Sequence, residues 1–544
     1  MITGLGFTNF QGFEFSQTVR LAPITVIFGP NSSGKSSILR AIRLLGQVSR
    51  NEPGLPLNGK HIEMGTFRSA VFNGDDNRNF TLAVEIPEGE GAVPVRGWRH
   101  LFERRNLGRG VAHDNRPTVP EQVVHSSKVR FEFEIDAIGG GVPKSVRITH
   151  DLVFKDRGSS GGTHEDVSLE LVFSRVSDEE TRFRLSELSG LGRLMVRVPS
   201  RALGLPRQDQ NQPEPPLLTD EEWRELLEGK VFELRGGIVP ADFERDALKN
   251  RAEFSDTPEL GEFGEDSGEF SISEFQRYLE ILRRSAPAIN LSHVGPLRSI
   301  SNTFQSLQQS SGLRADASNL VSFLAGLSED AMGQLSEWLS KLTDGRYTMV
   351  LTNAEIGGAL EDEEGWRDTG AMLFQVGLKD HHTKTYVSPQ NAGVGLSQIL
   401  PILGSLAMLG QERETGGRGV MRMSESSNQR ILLIEQPELH LHPRMQADFA
   451  EVLVNAHQSM SSKLGRRDTP QVIIETHSEA LMLRLQKLIR QGRIGPSDLS
   501  ILFVDQFAGG GNLAQELRLD SSGNFKDTWP TSFGDVRWAE QLDD

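Results

Sequence analysis

The segment ITVIFGPNSSGKSSILRAI, Ile24 to Ile42, decides the fold of this chain. Ala22 to Phe28 is a short β-rich run, and Ser36 to Leu45 places its apolar residues on one face of a helix. Between them lies Gly29-Pro-Asn-Ser-Ser-Gly-Lys-Ser36, which matches the phosphate-loop pattern and has the strand before it and the helix after it that the mechanism requires. The segment therefore predicts a nucleotide-binding α/β domain.

This loop predicts ATP and Mg²⁺ as cofactors. Backbone N–H groups from Ser33 to Ser36, with the helix dipole, would hold the β-phosphate. Lys35 would neutralise the β- and γ-phosphates, and the Ser36 hydroxyl would ligate magnesium. The candidate cofactor-binding residues of the loop are Gly29, Asn31, Ser32, Ser33, Gly34, Lys35, Ser36 and Ser37.

Composition places the chain among globular proteins with more than one core. Its 544 residues are 37% hydrophobic and 24% charged, and cysteine is absent, which excludes disulfides and thiolate sites. The N-terminus lacks a signal-peptide pattern, and the apolar run Leu396 to Leu409 is too short to span a bilayer. We expect a cytoplasmic protein with no membrane partner.

Charge bears on nucleic acid as a possible partner. The formal net charge of −16 argues against binding over the whole surface, because phosphate neutralisation needs clustered Lys and Arg. Arg99 to Arg109 is the densest basic cluster, and it fits either a local basic groove or a solvated loop balanced by nearby acids.

The first half of the chain reads mainly as antiparallel strands. Between Arg68 and Pro87, and again from Lys128 to Pro199, strand-like runs such as VRFEFEID and VSLELVFS alternate with Gly-rich turns. Pro206 to Asp220 and Glu253 to Glu269 are linker-like, since neither can bury enough apolar surface to order itself. Helical patterns follow at two places, Ser273 to Ser285 and Ser318 to Leu342, with no sustained heptad repeat.

The second half alternates strands with helices. A buried-type strand at Arg430 to Glu435 precedes a helix at His442 to Gln458, and a strand at Gln471 to Glu475 precedes a helix at Ser478 to Gln491. A last strand is expected at Ile501 to Phe507. This order predicts a parallel sheet with helices on its faces.

Two strand ends carry side chains suited to a phosphate site. Glu435 follows the apolar run Ile431 to Ile434, where a phosphate-loop protein needs a carboxylate for its metal. Otherwise it is an exposed acid at the end of a core strand. His477 follows the next strand and could hydrogen-bond the γ-phosphate, or it could be a surface histidine.

The order of these features resembles the ABC-type ATPase head of the group that contains RecF, the SMC proteins and the OLD ATPases. The motifs are NFQGFEF, FGPNSSGKSSILRAI, NAGVGLSQILPIL, LLIEQPELHLHP and IIETHSE. VGPLR and the closing ELRLDSSGNFKDTWP resemble a bacterial subgroup common in phage defence, including the Septu-type ATPases. The resemblance covers roughly residues 1 to 90 and 288 to 544.

The resemblance implies an α/β fold with a P-loop NTPase core, an antiparallel β lobe, an inserted β-rich and partly helical region, and no long coiled coil. Four segments are expected: 1–90 as the N-terminal lobe of the head, 91–287 as the insertion, 288–384 as a helical segment with connecting strands, and 385–544 as the C-terminal lobe.

The resemblance also implies that ATP is shared between subunits. It assigns Gly393, Gly395, Ser397 and Gln398 to the signature loop, which in such heads reaches the γ-phosphate bound to the opposite subunit. The chain would then act as a homodimer or higher homo-oligomer. The alternative is a glycine-rich turn that only starts a core helix.

One residue departs from the family pattern. Most ABC heads carry a glutamate after the metal-binding acid to polarise the attacking water, and this chain has Gln436. An amide orients water but cannot accept a proton. Hydrolysis is therefore expected to be slow, or Glu438 acts as the base. The candidate catalytic residues are Gln436, Glu438 and His477, and the metal ligands are Ser36 and Glu435.

The chain shows no nuclease motif of its own. Some OLD-type ATPases carry a Toprim nuclease domain, which needs a glutamate and paired aspartates, whereas Asp505 stands alone after its strand. Two further groups, Asp380-His381-His382 and His440-Leu-His442, could be metal ligands but fit a surface hairpin and a packing loop better.

These observations lead to one preferred function and two alternatives. We expect an ATPase that acts as sensor and regulatory scaffold for a separate HNH-type effector nuclease in antiphage defence. The first alternative is a RecF- or SMC-like DNA maintenance ATPase, which would need a basic surface. The second, a metabolic kinase or transporter subunit, fits Glu435-Gln436-Pro437-Glu438 poorly.

Overall fold

The structure is a computed structural model. It describes residues 1–48, 53–87, 122–156, 164–177, 181–191, 218–234, 239–240, 242–243, 275–276, 278–279, 282–283, 289–298, 305–306, 313–356, 359–362, 365–368, 371–411, 429–465, 468–507 and 510–528. The basic cluster at 99–109 and the linker-like segment at 253–269 lie outside these residues, as does most of the segment 206–220.

The strands are β1 Gly4–Thr8, β2 Gln17–Arg20, β3 Ile24–Phe28, β4 Phe80–Pro87, β5 Gln122–Ile135, β6 Ser145–Asp156, β7 His164–Arg175, β8 Arg182–Ser189, β9 Val231–Glu233, β10 Asp242–Phe243, β11 Ile289–Val294, β12 Gln305–Ser306, β13 Tyr347–Ile356, β14 Ala359–Asp362, β15 Gly365–Asp368, β16 Ala371–Asp380, β17 Thr385–Val387, β18 Gln429–Glu435, β19 Gln471–Glu475, β20 Leu499–Gln506 and β21 Asn512–Glu516. The helices are α1 Lys35–Leu45, α2 Phe67–Ala70, α3 Asp220–Leu227, α4 Leu320–Ala325, α5 Glu329–Leu342, α6 Val394–Leu409, α7 Pro443–Leu464 and α8 Glu479–Arg490, with short 3₁₀ turns at Phe72–Gly74 and Pro496–Asp498.

The chain forms two compact units. The first consists of residue 1, residues 19–40 and residues 289–544, and the second of residues 2–18 and 41–288. The backbone passes from one unit to the other within β2, within α1 and before β11. These units divide the chain at other residues than the four segments expected from the sequence, whose boundaries stay predictions.

The first unit is built on a six-stranded sheet in the order β11-β18-β19-β3-β20-β21. Its first five strands are parallel, and β21 returns antiparallel to β20. Ile431 to Ile434 and most of β3 are fully buried, which explains their unbroken apolar sequence, because central parallel strands are covered on both faces. The strand that bears the phosphate loop and the strand that ends at Glu435 are thus separated by β19.

Helices cover this sheet. α6 is apolar on almost every side and is buried along most of its length, and it packs against α5 and β18. α7 packs against α8. The start of α7 is set locally: His442 Nδ1 accepts a hydrogen bond from the Arg444 N–H, and Pro443 occupies the first turn. β12, β16, β13 and β17 form a second sheet, and β14 pairs with β15.

The second unit is built on antiparallel strands in the order β10-β9-β8-β7-β6-β5-β4-β1, with β2 at the edge. Alternate side chains of β5, among them Phe131 and Phe133, are fully buried, as expected for a sheet with one covered face. Ser127, His150 and Tyr278 form a buried polar chain: the His150 ring nitrogens lie 2.8 Å from Ser127 Oγ and 2.6 Å from Tyr278 Oη.

The predicted fold class is confirmed. A parallel sheet flanked by helices carries the phosphate loop, and a separate antiparallel sheet supplies the β-rich part. Within the described residues the longest helix is α7, with 22 residues, and no long coiled coil occurs. In the same part of the chain, every helix is too short or too polar to cross a membrane.

Candidate nucleotide-binding site

The phosphate loop is shaped by three residues with left-handed or related backbone. The φ angles are 148° at Gly29, 63° at Ser32 and 97° at Gly34. A β-carbon on Gly29 would lie 2.0 Å from the Val504 carbonyl oxygen, and one on Gly34 would lie 2.2 Å from Asn512 Nδ2. Only glycine satisfies both the backbone and the space at these two positions.

Lys35 lies folded against its own loop. Its Nζ donates to the carbonyl oxygens of Gly29 at 3.0 Å and Pro30 at 2.6 Å, and the residue is 4% exposed. Burial lowers the pKa of Lys35, while the carboxylates of Glu475 and Glu438 oppose this shift. The ammonium therefore stands among acidic groups, and two of its three donors are taken by these carbonyls.

The Ser36 hydroxyl contacts Glu475, which sequence analysis left without a role. Ser36 Oγ donates to Glu475 Oε1 at 3.2 Å and Oε2 at 3.1 Å. Glu475 ends β19, next to the strand that leads into the loop, and is 5% exposed. Burial and the charge of Glu435 raise its pKa, whereas the Ser36 bond and Lys35 oppose the rise. A buried carboxylate thus stands beside the hydroxyl expected to ligate magnesium.

Glu435 lies one strand farther from the loop. It pairs in register with Glu475 across the parallel ladder, and its Oε1 lies 2.7 Å from His293 Nε2 on β11. The two glutamates therefore mark the same edge of the sheet, as strand ends in a parallel sheet must. The motifs indicate that Glu435 is the carboxylate beside Ser36, whereas in the structure Glu475 contacts Ser36.

Glu438 links the ends of β18 and β19. Its Oε2 accepts from Thr476 Oγ1 at 2.6 Å, and its Oε1 accepts from the His477 N–H at 2.8 Å. His477 itself is half-buried, and burial together with the Lys35 charge lowers its pKa, against the opposing effect of Glu438. The imidazole is therefore neutral near physiological pH, with one donor and one acceptor nitrogen.

Gln436 has a strained backbone. Its φ is 44°, which is uncommon for a residue with a β-carbon. The Gln436 N–H donates to the Glu475 carbonyl at 2.8 Å, and the Gln436 carbonyl accepts from Arg298 Nη2 at 3.4 Å. Strain of this kind persists only where the surroundings hold it and is concentrated at functional sites.

The predicted signature residues lie at the start of α6. Gly393 has φ 117° and precedes the helix, and Ser397 Oγ donates to the Val394 carbonyl at 2.7 Å. A β-carbon on Gly395 would lie 2.6 Å from the His440 carbonyl oxygen. Gln398 Nε2 donates to the Arg298 carbonyl at 2.8 Å. The Gln398 bond attaches the start of α6 to the turn formed by VGPLR, residues 294–298.

The remaining loop residues differ in exposure. Asn31 and Ser32 are exposed, whereas Ser33 and Ser37 are buried. The Ser33 Oγ atom is buried and makes no hydrogen bond within the structure. A buried hydroxyl without a partner is costly in a native protein unless a ligand or solvent satisfies it.

The Asp380-His381-His382 group has structural partners. Asp380 accepts from Arg346 Nη2 at 3.0 Å, which with other hydrogen bonds lowers its pKa to about 2, and His381 Nε2 lies 2.9 Å from Thr348 Oγ1. In the described part of the chain no three His, Asp or Glu side chains are grouped to hold a metal ion. The hairpin interpretation of this group is the one that these contacts support.

Sequence reasoning missed Glu475, Arg298, His293 and Asn512. Glu475 and Arg298 lie inside the motifs IIETHSE and VGPLR, but only the strand order brings them to the loop and to Gln436. The signal for Glu475 was an acidic residue ending a buried strand next to another such strand. His293 and Asn512 carry no pattern of their own in the sequence.

Comparison with known protein families gives matches in two parts of the chain. Residues 304–482 match the family model described as "AAA ATPase domain". Residues 24–93 match the model described as "AAA domain, putative AbiEii toxin, Type IV TA system". Each match covers less than half of the chain. No curated protein matches the sequence.

Among solved structures, the chain is similar to SMC heads at low identity. The SMC head domain of Thermotoga maritima is 10% identical over 95% of this chain and 99% of that one, with a TM-score of 0.32. The SMC head of Pyrococcus furiosus bound to the C-terminal domain of ScpA is 13% identical over 95% and 96%, with a TM-score of 0.34. Scores this low do not by themselves establish a relationship.

Proposed function

We propose that this chain binds MgATP at the Ile24–Ile42 segment and hydrolyses it slowly, as an ABC-type ATPase. One observation carries the proposal. At the carboxyl edge of the parallel sheet, the loop that matches the phosphate-loop pattern places the Ser36 hydroxyl against the carboxylate of Glu475, and the charge of that carboxylate also acts on Lys35. A P-loop ATPase requires this combination of ammonium, hydroxyl and carboxylate.

The residues present fit ATP and Mg²⁺. The Ser33 hydroxyl is buried without a partner, and the backbone from Gly29 to Gly34, with positive φ at three residues, leads into the N-terminus of α1. Ser36, Glu475 and Glu435 offer the oxygen ligands that Mg²⁺ prefers, to be completed by phosphate and water. Bound Mg²⁺ would supply positive charge to the phosphate oxygens.

Each side chain then has a distinct role. Lys35 would exchange the loop carbonyls for phosphate oxygens. Gln436 would orient the attacking water without taking its proton, which makes turnover slow. His477, kept neutral by burial and Lys35, would donate a hydrogen bond toward the γ-phosphate. Glu438 would hold the loop that bears His477 in place.

We propose further that two copies dimerise around ATP. The segment assigned to the signature is exposed at Gly393 and Val394, and Val394 keeps 56% of its surface accessible. Leu297, next to Arg298 in the VGPLR turn, is 80% exposed. Two exposed apolar side chains on segments joined by hydrogen bonds fit a surface that a second copy covers.

In the cell, this dimer would act in the cytoplasm as sensor and scaffold for a separate HNH-type effector nuclease in antiphage defence. The support is the resemblance of VGPLR and the closing ELRLDSSGNFKDTWP to defence ATPases. The model matched by residues 24–93 is itself named for a toxin system. The net charge of −16 favours a protein effector over duplex DNA as the partner.

Light scattering with and without MgATP tests the dimer. We expect wild-type mass to double with MgATP, Val394→Asp to stay monomeric, and Leu483→Asp, which places the same charge on an exposed α8 position, to behave as wild type. An unchanged mass with bound ATP would refute dimerisation.

Co-purification with the product of a neighbouring gene tests the defence role. The expected result is a complex with a nuclease that restricts phage only together with this chain. Restriction of phage by this chain alone would exclude the separate effector. ATP-stimulated, salt-sensitive binding to duplex DNA would instead support the maintenance ATPase.

A further inference from the structure

Arg298 is a buried arginine with hydrogen bonds to two elements. It is 5% exposed, and its Nη2 donates to the Glu435 carbonyl at 2.5 Å and to the Gln436 carbonyl at 3.4 Å. Its Nη1 donates to the Gln398 carbonyl at 3.3 Å. Arg298 reaches these carbonyls with two separate nitrogens held in a rigid, planar fork, whereas lysine would have a single nitrogen at the end of a flexible stem.

The bonds run in both directions between the VGPLR turn and α6. The Gln398 side chain donates back to the Arg298 carbonyl at 2.8 Å. The side chain of each residue therefore donates to the main-chain carbonyl of the other. The same end of α6 also approaches the turn after β18, where Gly395 leaves room for the His440 carbonyl oxygen. The beginning of α6 and the end of β18 are thus joined at two places.

Arg298 carries a positive charge at this junction and lies near two carboxylates. Burial lowers the pKa of Arg298 to about 10, and the carboxylates of Glu438 and Glu435 oppose that shift. The guanidinium therefore remains charged at physiological pH, close to the acidic end of the sheet. Its Nε is buried and makes no hydrogen bond within the structure, so not all of its donors are satisfied.

Hydrogen bonds at this junction hold the backbone of Gln436. Its φ of 44° is disfavoured for any residue other than glycine, and two hydrogen bonds fix the peptide groups on its two sides. The Glu475 carbonyl accepts the Gln436 N–H, and Arg298 donates to the Gln436 carbonyl. Since the direction of a side chain follows from its backbone angles, this turn decides where the Gln436 amide can point.

We propose that Arg298 is a positioning residue, which holds Gln436 in its left-handed conformation and couples that turn to the amino end of α6. This inference rests on the proposed function in one respect, that Gln436 orients the attacking water. Displacement of α6 by a partner at the signature segment would then reach Gln436 through Arg298. ATP binding, which uses Lys35 and Ser36, does not depend on this route.

Arg298→Lys tests the positioning role, because it keeps the charge and removes the fork. We expect kcat for ATP to fall at least about tenfold, while the Kd for MgATP changes less than about twofold. Arg346→Lys is the matched control: it alters an exposed arginine that pairs with Asp380, and kcat should not change. Equal kcat for Arg298→Lys and wild type would overturn the role of Arg298 in hydrolysis.

A double-mutant cycle with Gln436→Gly separates this inference from the proposed function. Glycine adopts the left-handed angle without strain, so Arg298→Lys should lower Tm less in the Gln436→Gly background than in wild type. This measurement needs no ATP. Additive Tm changes would overturn the inference that Arg298 holds Gln436. Coupled Tm changes with unaltered kcat would overturn only the role of Arg298 in hydrolysis. A folded wild type that binds no ATP would refute the proposed function instead.

Discussion

Gly34→Ala is the substitution whose effect the structure defines most closely. A β-carbon at this position meets two separate obstacles. It would lie 2.2 Å from Asn512 Nδ2, and the backbone would have to keep a φ of 97° that alanine disfavours. The first obstacle belongs to one side chain and can be removed. The second belongs to the loop and cannot.

The backbone strain and the steric contact with Asn512 differ in size and origin. Backbone strain of this kind costs about 1–3 kcal/mol, which corresponds to a factor of about 5–150 in affinity if the loop must relax to avoid it. The contact adds to this, because Asn512 has to move. In Asn512→Ala the nearest remaining side-chain atom is Cβ, at 3.4 Å from the new methyl, which is van der Waals contact.

Titration calorimetry with MgATP on four proteins measures these terms. Asn512→Ala alone should bind within about threefold of wild type, since it adds no strain. Gly34→Ala should lose more than the double variant Gly34→Ala/Asn512→Ala, and the double variant should still bind about 5–150-fold more weakly than wild type. No recovery on truncating Asn512 would contradict the close approach, and full recovery would contradict the backbone argument.

Two further predictions concern turnover and pH. Gln436→Glu should raise the rate of ATP hydrolysis, because a carboxylate accepts the proton that an amide cannot; equal or lower turnover at unchanged MgATP affinity would count against slow hydrolysis by Gln436. Burial lowers the pKa of His150 from 6.5 to about 3, so the unfolded state takes up this proton first, and the free energy of unfolding should fall by about 1.4 kcal/mol per pH unit as pH drops from 6.5 toward 3. Urea unfolding at several pH values measures this, because His150→Gln cannot titrate. In this variant the free energy of unfolding should change with pH less steeply by that amount, and an unchanged pH dependence would mean that His150 is not neutral in the folded chain.

Much of the first unit follows from local sequence. The run before Gly29 and the run Ile431 to Ile434 are apolar at almost every position, so their burial in a parallel sheet was predictable. The starts of α1, α7 and α8 were predictable within one residue, and at α8 the capping residue Ser478 precedes the helical pattern. The single helical stretch expected from Ser318 to Leu342 is instead two helices, α4 and α5.

The arrangement of the acidic residues was not predictable from the motifs. They assign the metal carboxylate to Glu435, while the structure puts Glu475 against Ser36 and Glu435 against His293. Which strand lies next to β3 is a property of the whole sheet, and no local pattern encodes it. Both glutamates remain candidates for Mg²⁺.

The role of Arg298 could not be read from the sequence for a similar reason. Its three acceptors are main-chain carbonyls, at Gln398, Glu435 and Gln436, and a carbonyl acceptor leaves no trace in residue identity. The left-handed φ angle at Gln436 could not be predicted from the sequence either, since glutamine has no preference for it. A sequence pattern reports side chains, whereas this junction is built from backbone.

MgATP binding by Lys35→Ala tests the central claim most directly. Wild type should bind ATP with saturation and more tightly with Mg²⁺ than with EDTA, and Lys35→Ala should abolish binding while Lys341→Ala, an exposed lysine paired with Glu451, binds as wild type. Ser36→Ala should retain ATP binding and lose the gain from Mg²⁺. Lys35→Ala binding ATP as tightly as wild type would contradict the assignment of this loop as the nucleotide site.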